Sequence, residues 1–289
     1  MKTMKKRHFL LALLLILTLT TARTEAMRQL PASTQIARTV RVAVVGGIVL
    51  CGVWPALAAR AEKATGLHIE TVAAAPKEGV VPPFRRGEAD LLLIHGSDET
   101  YALQAAGFAA PLRAWAMNEH VIVGPLADPA GIADAPDAVE ALRRIIAADA
   151  PLIGFRDPGS FGIVHGLLRS AELHAGPRQQ LFDDAESPQL VLRSAAARNG
   201  YAVVGHIPVA FGKMPSEGMR VLLKGDPAMR RVYVVVEPGS RHPANAVQRR
   251  AAHRLAEYLL SRQGQTDLLA ADLQVGGPWV FPMKSNSAR

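Results

Sequence analysis

Short apolar runs alternate along the chain with longer segments that have helical spacing. Strand-like runs begin at Val40, His68 and Ala89. The segment from Trp54 to Thr65 is predicted to be a helix that ends at a glycine, the residue that best tolerates the left-handed conformation after a helix. A shorter helix is predicted from Asp98 to Ala106. This alternation predicts an α/β first half with a mostly parallel sheet covered on both faces.

The second half continues the alternation after a strand predicted near residues 119–123. An amphipathic helix is predicted over 137–148, because Val139, Leu142 and Ile145 share one stripe. Further strands are predicted at 152–155, 201–205, 219–223 and 231–236, and further helices at 156–174, 188–198, 244–261 and 264–270. The segments 33–39 and 276–289 are predicted to be terminal tails.

The first 26 residues have the pattern of a secretory signal peptide. Four basic residues within the first seven positions precede an apolar run from Phe9 to Leu19, and small residues follow near Ala26. The run is short for a membrane span, so an uncleaved anchor helix is the less favoured alternative. No second stretch of about 18 apolar residues follows. The pattern predicts export to the periplasm and a soluble mature chain.

The net charge and the number of cysteines exclude several classes of function. The net charge is +8, and removing residues 1–26 leaves +4. A net charge of this size is too small to indicate a nucleic-acid-binding protein. A mildly positive electrostatic field favours an anionic ligand. The single cysteine, Cys51, excludes an intramolecular disulfide framework and a cysteine-rich metal site. We predict neither a metal nor a cofactor.

Four sequence segments, in this order, extend over nearly the whole mature chain. They are Arg86-Gly-Glu-Ala-Asp-Leu-Leu-Leu-Ile-His, Met117-Asn-Glu-His-Val-Ile-Val-Gly-Pro-Leu-Ala-Asp-Pro-Ala-Gly-Ile, Phe155-Arg-Asp-Pro-Gly-Ser, and Gly225-Asp-Pro-Ala with the strand after it. The second is the most specific, because a strand that ends in Val-Gly-Pro before Asp-Pro-Ala-Gly is unusual. Together they resemble the tungstate-binding component of ABC transporters, in the type II periplasmic-binding-protein superfamily.

The resemblance implies a two-lobed α/β fold with a ligand cleft between the lobes. Lobe I would comprise 38–118 and 231–289, and lobe II, 119–230, would be inserted between them. The implied function is that of a monomeric extracytoplasmic solute-binding protein without catalytic activity. It would bind a small anion by cleft closure and deliver it to an ABC permease in the inner membrane. The alternative is an extracytoplasmic sensor or scavenger that binds an organic anion without transport.

Candidate ligand-binding residues lie at strand-to-helix junctions. In open α/β sheets, ligands bind outside the carboxyl ends of the strands, where helix N-termini donate to anions. Arg156 is the first candidate because a guanidinium offers forked donors to an oxyanion, and the family places an arginine there. A surface ion pair with Asp157 is its alternative role. The full set of candidates is Gly46, Gly47, Ile48, His95, Ser97, Arg156, Gly159, Ser160 and His206.

Two segments depart from the family pattern. The first loop has Gly46 to Cys51 where the family has threonine and serine, and a later strand ends in Gly205-His206-Ile207-Pro208 instead of Thr-Asp. These departures favour a larger or less hydrated anion than tungstate, with an apolar part that packs on Ile48 or Phe161.

Enzyme motifs are weak in this sequence. The Gly-x-Ser-x-Gly spacing of a nucleophile elbow is absent around Ser160, and no phosphate-binding glycine loop with lysine occurs. Cys51 follows a glycine-rich turn, but a small buried residue is the better interpretation than a reactive thiol. His165 is interpreted as a packing residue. We therefore predict no catalytic residues.

Overall fold

The computed structural model describes residues 39–154, 158–182 and 190–283. In chain order the strands are β1 (Thr39–Val45), β2 (His68–Ala75), β3 (Leu91–His95), β4 (Arg113–Pro125), β5 (Ile153–Gly154), β6 (Leu181–Phe182), β7 (Ala202–Gly205), β8 (Met219–Leu223), β9 (Arg230–Val236) and β10 (Val280–Pro282). The helices are α1 (Gly46–Leu50), α2 (Val53–Thr65), α3 (Lys77–Arg86), α4 (Asp98–Ala105), α5 (Ala138–Ala147), α6 (Pro158–Ser170), α7 (Val191–Ala197), α8 (His206–Ala210), α9 (Ala246–Leu260) and α10 (Arg262–Gln274). The predicted signal peptide, 1–26, lies outside the described residues.

The three apolar runs of the first half form neighbouring parallel strands. β1 pairs in parallel with β2 on one side and with β3 on the other. The last four residues of β1 are buried, as a central parallel strand requires. Helices α2, α9 and α10 share one core with these strands, and Trp54 and Trp115 are among its largest fully buried side chains. This core supports the end of β3 and the turn after β1.

The long strand β4 connects two hydrophobic cores. Its first part pairs antiparallel with β9, up to the pair Glu119–Arg230, and β9 pairs antiparallel with β3. Its second part pairs antiparallel with β7 and β8. Trp115 lies in the first core, whereas Val121 and Ile122 lie in separate clusters with α5, α7 and β7. The backbone therefore passes from one core to the other at Asn118 to His120.

The predicted α/β architecture is present, with a more mixed sheet than the sequence pattern indicates. Parallel pairing holds β1, β2 and β3 together, while β4 and β9 run antiparallel to their described neighbours. The lobe boundaries at 118/119 and 230/231 stay a prediction. Of the described residues, none belongs to a helix long and apolar enough to cross a membrane.

Two elements differ from the sequence-based expectation. The prediction of a tail from residue 276 is wrong at Val280–Pro282, because this segment forms β10 and pairs with β4 opposite Asn118. Helix α3 was not expected, because it contains Pro82 and Pro83. The buried side chains of Val80 and Phe84 hold α3 against the first core.

Candidate functional site

A cavity of about 220 Å³ lies where the connecting strands meet. Alternation along a strand places Asn118 and His120 of β4 on one face, and likewise Arg231 and Tyr233 of β9. Asn118 pairs directly with Arg231 across the two strands. His95, at the end of β3, completes this polar wall. We call this space the cleft cavity; its described lining is Val45, Gly47, His95, Asn118, His120, Ser160, Val191, Val203, Val204, Gly205, Ile207, Pro208, Met214, Arg231 and Tyr233.

His95 is fixed by two neighbours in the polar wall. Its Nε2 lies 3.1 Å from Oδ1 of Asn118, and its ring stacks on Tyr233 with the centroids 4.2 Å apart. Burial lowers the pKa of His95 well below its usual value, and the positive charge of Arg231 lowers it further. The imidazole is therefore neutral at pH 7. With the amide oxygen of Asn118 as acceptor, Nε2 carries the proton.

His120 is the more deeply buried of the two histidines in the cavity. Only 4% of it is exposed, and within the described part of the chain its Nδ1 has no hydrogen-bond partner. Burial, followed by the charge of Arg231, lowers its pKa to about 3. A buried polar atom without a partner costs roughly 1–3 kcal/mol. A ligand that accepts or donates a hydrogen bond at Nδ1 would recover part of that cost.

The opposite wall of the cavity is formed by the short helices α1 and α8, which follow β1 and β7. Gly47 in α1 and Ile207 in α8 approach one another across the cavity. A methyl group at Gly47 would lie 3.8 Å from the Tyr233 hydroxyl and 3.9 Å from Ile207. Most other residues on this side are apolar, and Ser160 adds one hydroxyl. The cavity therefore combines one polar wall with a predominantly apolar one.

Glu119 lies on the reverse face of β4 and does not line the cavity. It is 3% exposed; its Oε1 lies 2.7 Å from Nδ1 of His206, and its Oε2 accepts from the backbone N–H of Gly225 at 3.1 Å. The His206 nitrogen is within ion-pair range but is not aligned for a hydrogen bond. The His206 ring also packs on Trp279, with centroids 5.2 Å apart. This cluster ties β4, α8 and the C-terminal segment together.

The structure brings three of the predicted binding residues into the cleft cavity. They are Gly47, His95 and Ser160. Gly159 lines a neighbouring cavity of about 500 Å³ that also contacts Arg231. Arg156, the first candidate from the sequence, lies outside the described residues.

The remaining candidates lie away from the cavity lining. Ile48 is fully buried in the first core. The position where Gly46 would carry a side chain faces the backbone of Ala75, 3.4 Å away. Ser97 is buried at the start of α4, where its backbone N–H donates to Oγ1 of Thr100. His206 belongs to the cluster behind β4 described above.

Four cavity residues were missed from the sequence: Asn118, His120, Arg231 and Tyr233. The sequence does contain a signal for the residues in β4, because polar residues at 118–120 interrupt its apolar run. Polar side chains inside a buried strand need partners, so they mark either a structural network or a ligand site. The candidates predicted from the sequence lie only at the ends of strands.

Neither a metal centre nor a reactive thiol emerges from the described geometry. No group of three or more His, Cys, Asp or Glu that could hold a metal occurs within residues 39–154, 158–182 and 190–283. Cys51 is buried, and burial raises the pKa of its thiol to about 11. The thiol is therefore protonated at pH 7 and is a poor nucleophile.

Comparisons with known proteins agree with this architecture. No curated protein matches the sequence. The crystal structure of the tungstate ABC transporter from Geobacter sulfurreducens superposes with a TM-score of 0.62 at 20% identity, covering 82% of this chain and all of that one. The tungstate-binding protein TupA from Desulfovibrio alaskensis gives a TM-score of 0.63 at 20% identity, covering 86% and 100%.

A third structure is more distant. The substrate-binding domain of a putative molybdenum ABC transporter from Clostridium difficile gives a TM-score of 0.51 at 13% identity, covering 85% of this chain and 99% of that one. These similarities confirm the predicted two-lobed type II periplasmic-binding-protein fold. Residues 40–270 match the model of the family described as bacterial extracellular solute-binding protein. The chain belongs to this family of bacterial extracellular solute-binding proteins.

Proposed function

We propose that the protein captures a small anion in the cleft cavity and delivers it to an ABC permease. The observation that carries the proposal is the position of Arg231. It lies near the start of β9, opposite Asn118 of β4, and lines the cavity together with His95 and His120. A guanidinium in such surroundings attracts an anion more strongly than one on an open surface.

The neutral groups of the polar wall suit the same ligand. His95 and His120 are uncharged at pH 7; the Nε2 proton of His95 is already donated to Asn118, whereas His120 can donate from Nδ1 in the tautomer that protonates it. Asn118 and Ser160 contribute an amide and a hydroxyl to the lining. Among the described lining residues, one permanent cation beside neutral polar groups matches a singly charged anion, or a dianion whose second charge is stabilised by hydrogen bonds.

The strand connections support binding by closure. Because β4 and β9 carry both the polar wall and the passage between the two cores, a ligand held there would favour one arrangement of the lobes. We propose lobe I as 38–118 with 231–289, and lobe II as 119–230. Closure around a ligand is a common way for two-lobed proteins to present their bound state to a partner.

Coupling to an ABC permease is supported by the structural similarity to components of tungstate and molybdenum ABC transporters. We propose export to the periplasm by residues 1–26, action as a monomer, and binding without catalysis. The buried, protonated thiol of Cys51 is consistent with a role that involves no nucleophile. Nucleic acid is not proposed as a partner, given the modest net charge of residues 27–289.

A thermal-shift panel on the purified protein tests the anion-binding proposal. The panel comprises sodium salts of tungstate, molybdate, sulfate, phosphate and short carboxylates. An anion at 100 times its dissociation constant stabilises the folded state by about 2.7 kcal/mol, which raises the melting temperature by roughly 5–10 °C for a chain of this size. Sodium chloride at matched ionic strength is the control. An unchanged melting temperature with every anion would contradict the proposal.

A further inference from the structure

A second, larger cavity adjoins the cleft cavity on the lobe II side. Its volume is about 560 Å³, and it lies between α6 and the segments around β5 and β6. We call it the apolar chamber. Its described lining is Leu152, Ile153, Gly154, Ser160, Phe161, Val164, His165, Leu168, Arg169, Leu173, His174, Ala175, Gln179, Gln180, Leu181 and Val203.

The buried residues of the chamber lining are mostly apolar, with Gln179 as a polar one, and its exposed residues are mostly polar. Leu152, Ile153 and Leu168 form a buried floor. Phe161 is 41% exposed, and its ring contacts the exposed ring of His165 at a centroid distance of 4.0 Å. Water against the apolar floor finds few polar partners. An apolar group of a ligand would gain the free energy of leaving water.

The chamber and the cleft cavity are neighbours in space. Ser160, in the first turn of α6, and Val203, in β7, line both of them. A solute whose charged end lies beside Arg231 can therefore extend past these two residues into the chamber. Their shared walls favour a single elongated ligand over two unrelated ones.

The charges at the chamber also favour an anion. The titratable residues of its described lining are Arg169, His165 and His174, with no Asp or Glu among them. Among the described lining residues of the two cavities, none is therefore a carboxylate. An inorganic tetrahedral oxyanion would use the cleft cavity and leave the chamber without a role.

We propose that the solute is an organic oxyanion, a carboxylate or sulfonate, whose acid group lies in the cleft cavity and whose apolar body occupies the apolar chamber. This inference rests on the proposed anion-binding function and specifies the class of anion. It assigns specificity to α6, through Phe161, Val164 and Leu168. The acid group provides the charge that Arg231 recognises, and the apolar body provides the selectivity.

The test is calorimetric titration of the purified protein with acetate, butanoate, hexanoate and octanoate, alongside tungstate and sulfate. Burial of each methylene is expected to tighten binding about fourfold, until the chamber is full. Inorganic oxyanions are expected to bind more weakly than hexanoate. The same titrations with the variant Val164→Phe, which fills part of the chamber, are expected to show a much flatter dependence on chain length with acetate affinity retained.

Val139→Phe is the matched control, because Val139 is a half-buried valine on α5 that does not line the chamber. It is expected to keep the chain-length dependence. Tungstate or sulfate binding with no gain from longer carboxylates would overturn this inference and leave the proposed function standing. Absence of binding by all the anions would overturn both. The wild-type series decides these outcomes even if Val164→Phe fails to fold.

Discussion

Replacing Arg231 with glutamine is expected to weaken anion binding about 10- to 100-fold. Charge-assisted hydrogen bonds contribute roughly 1.5–3 kcal/mol each, and glutamine keeps a polar side chain of intermediate length without the charge. Arg231 lies opposite Asn118 in the polar wall, so its loss removes the permanent cation of the cleft cavity while both strands retain their pairing. Titration calorimetry with the anion that gives the largest thermal shift measures the change.

Arg220→Gln is the matched control for this experiment. Arg220 is exposed on β8, and its replacement changes the net charge equally at a site outside the cavity lining. We expect its effect on affinity to be less than threefold, because exposed charges are screened. If both variants lost the same affinity, anion binding would depend only on the net charge of the protein and not on Arg231 in the cavity. An unchanged affinity for Arg231→Gln would remove this residue from the site.

The elements of the fold could be predicted largely from local pattern. An apolar run predicts the strand at 40–45, and this strand is present in the structure. A glycine predicts the end of the helix before Gly66, and Gly66 does have a positive φ there. The helix over 137–148 is likewise present as α5, with its first turn capped by Asp137. These features depend on neighbours within a few residues, so a single sequence contains what is needed.

The polar wall could not be predicted from local sequence pattern. His95, His120 and Arg231 come from three strands that are distant in sequence, and their proximity depends on the pairing of β4 with β9 and of β3 with β9. Pairing between distant strands is set by the whole fold and not by local spacing. The same reason explains β10, whose short apolar segment becomes a strand only because β4 offers an unpaired edge at Asn118.

The ends of strands contribute part of the cleft cavity. The general rule that ligands bind beyond the carboxyl ends of strands leads to Gly47, His95 and Ser160, which do line the cleft cavity. It does not lead to His120, which lies inside β4, or to Arg231, which lies near the start of β9. In β4, which connects the two cores, interior residues and not the strand ends face the cleft cavity.

Lowering the pH from 7 to 5 is expected to reduce the free energy of unfolding by about 2 kcal/mol through His120 alone. In the folded protein its pKa is lowered to about 3, whereas in the unfolded chain it returns to the usual value near 6.5. Between these values the unfolded state binds a proton that the folded state does not, so stability falls as the pH decreases. His95, whose pKa is also lowered, acts in the same direction.

Urea unfolding followed by tryptophan fluorescence at pH 7 and pH 5 measures this loss in the wild type and in His120→Gln. The variant is expected to lose about 2 kcal/mol less over the same interval, because glutamine does not titrate. The control His68→Gln replaces an exposed imidazole and is expected to retain the wild-type dependence. A bound anion beside His120 favours the protonated ring, so anion-saturated protein should lose less stability than free protein. Equal pH dependence in wild type and His120→Gln would show that His120 is not held neutral in the cavity.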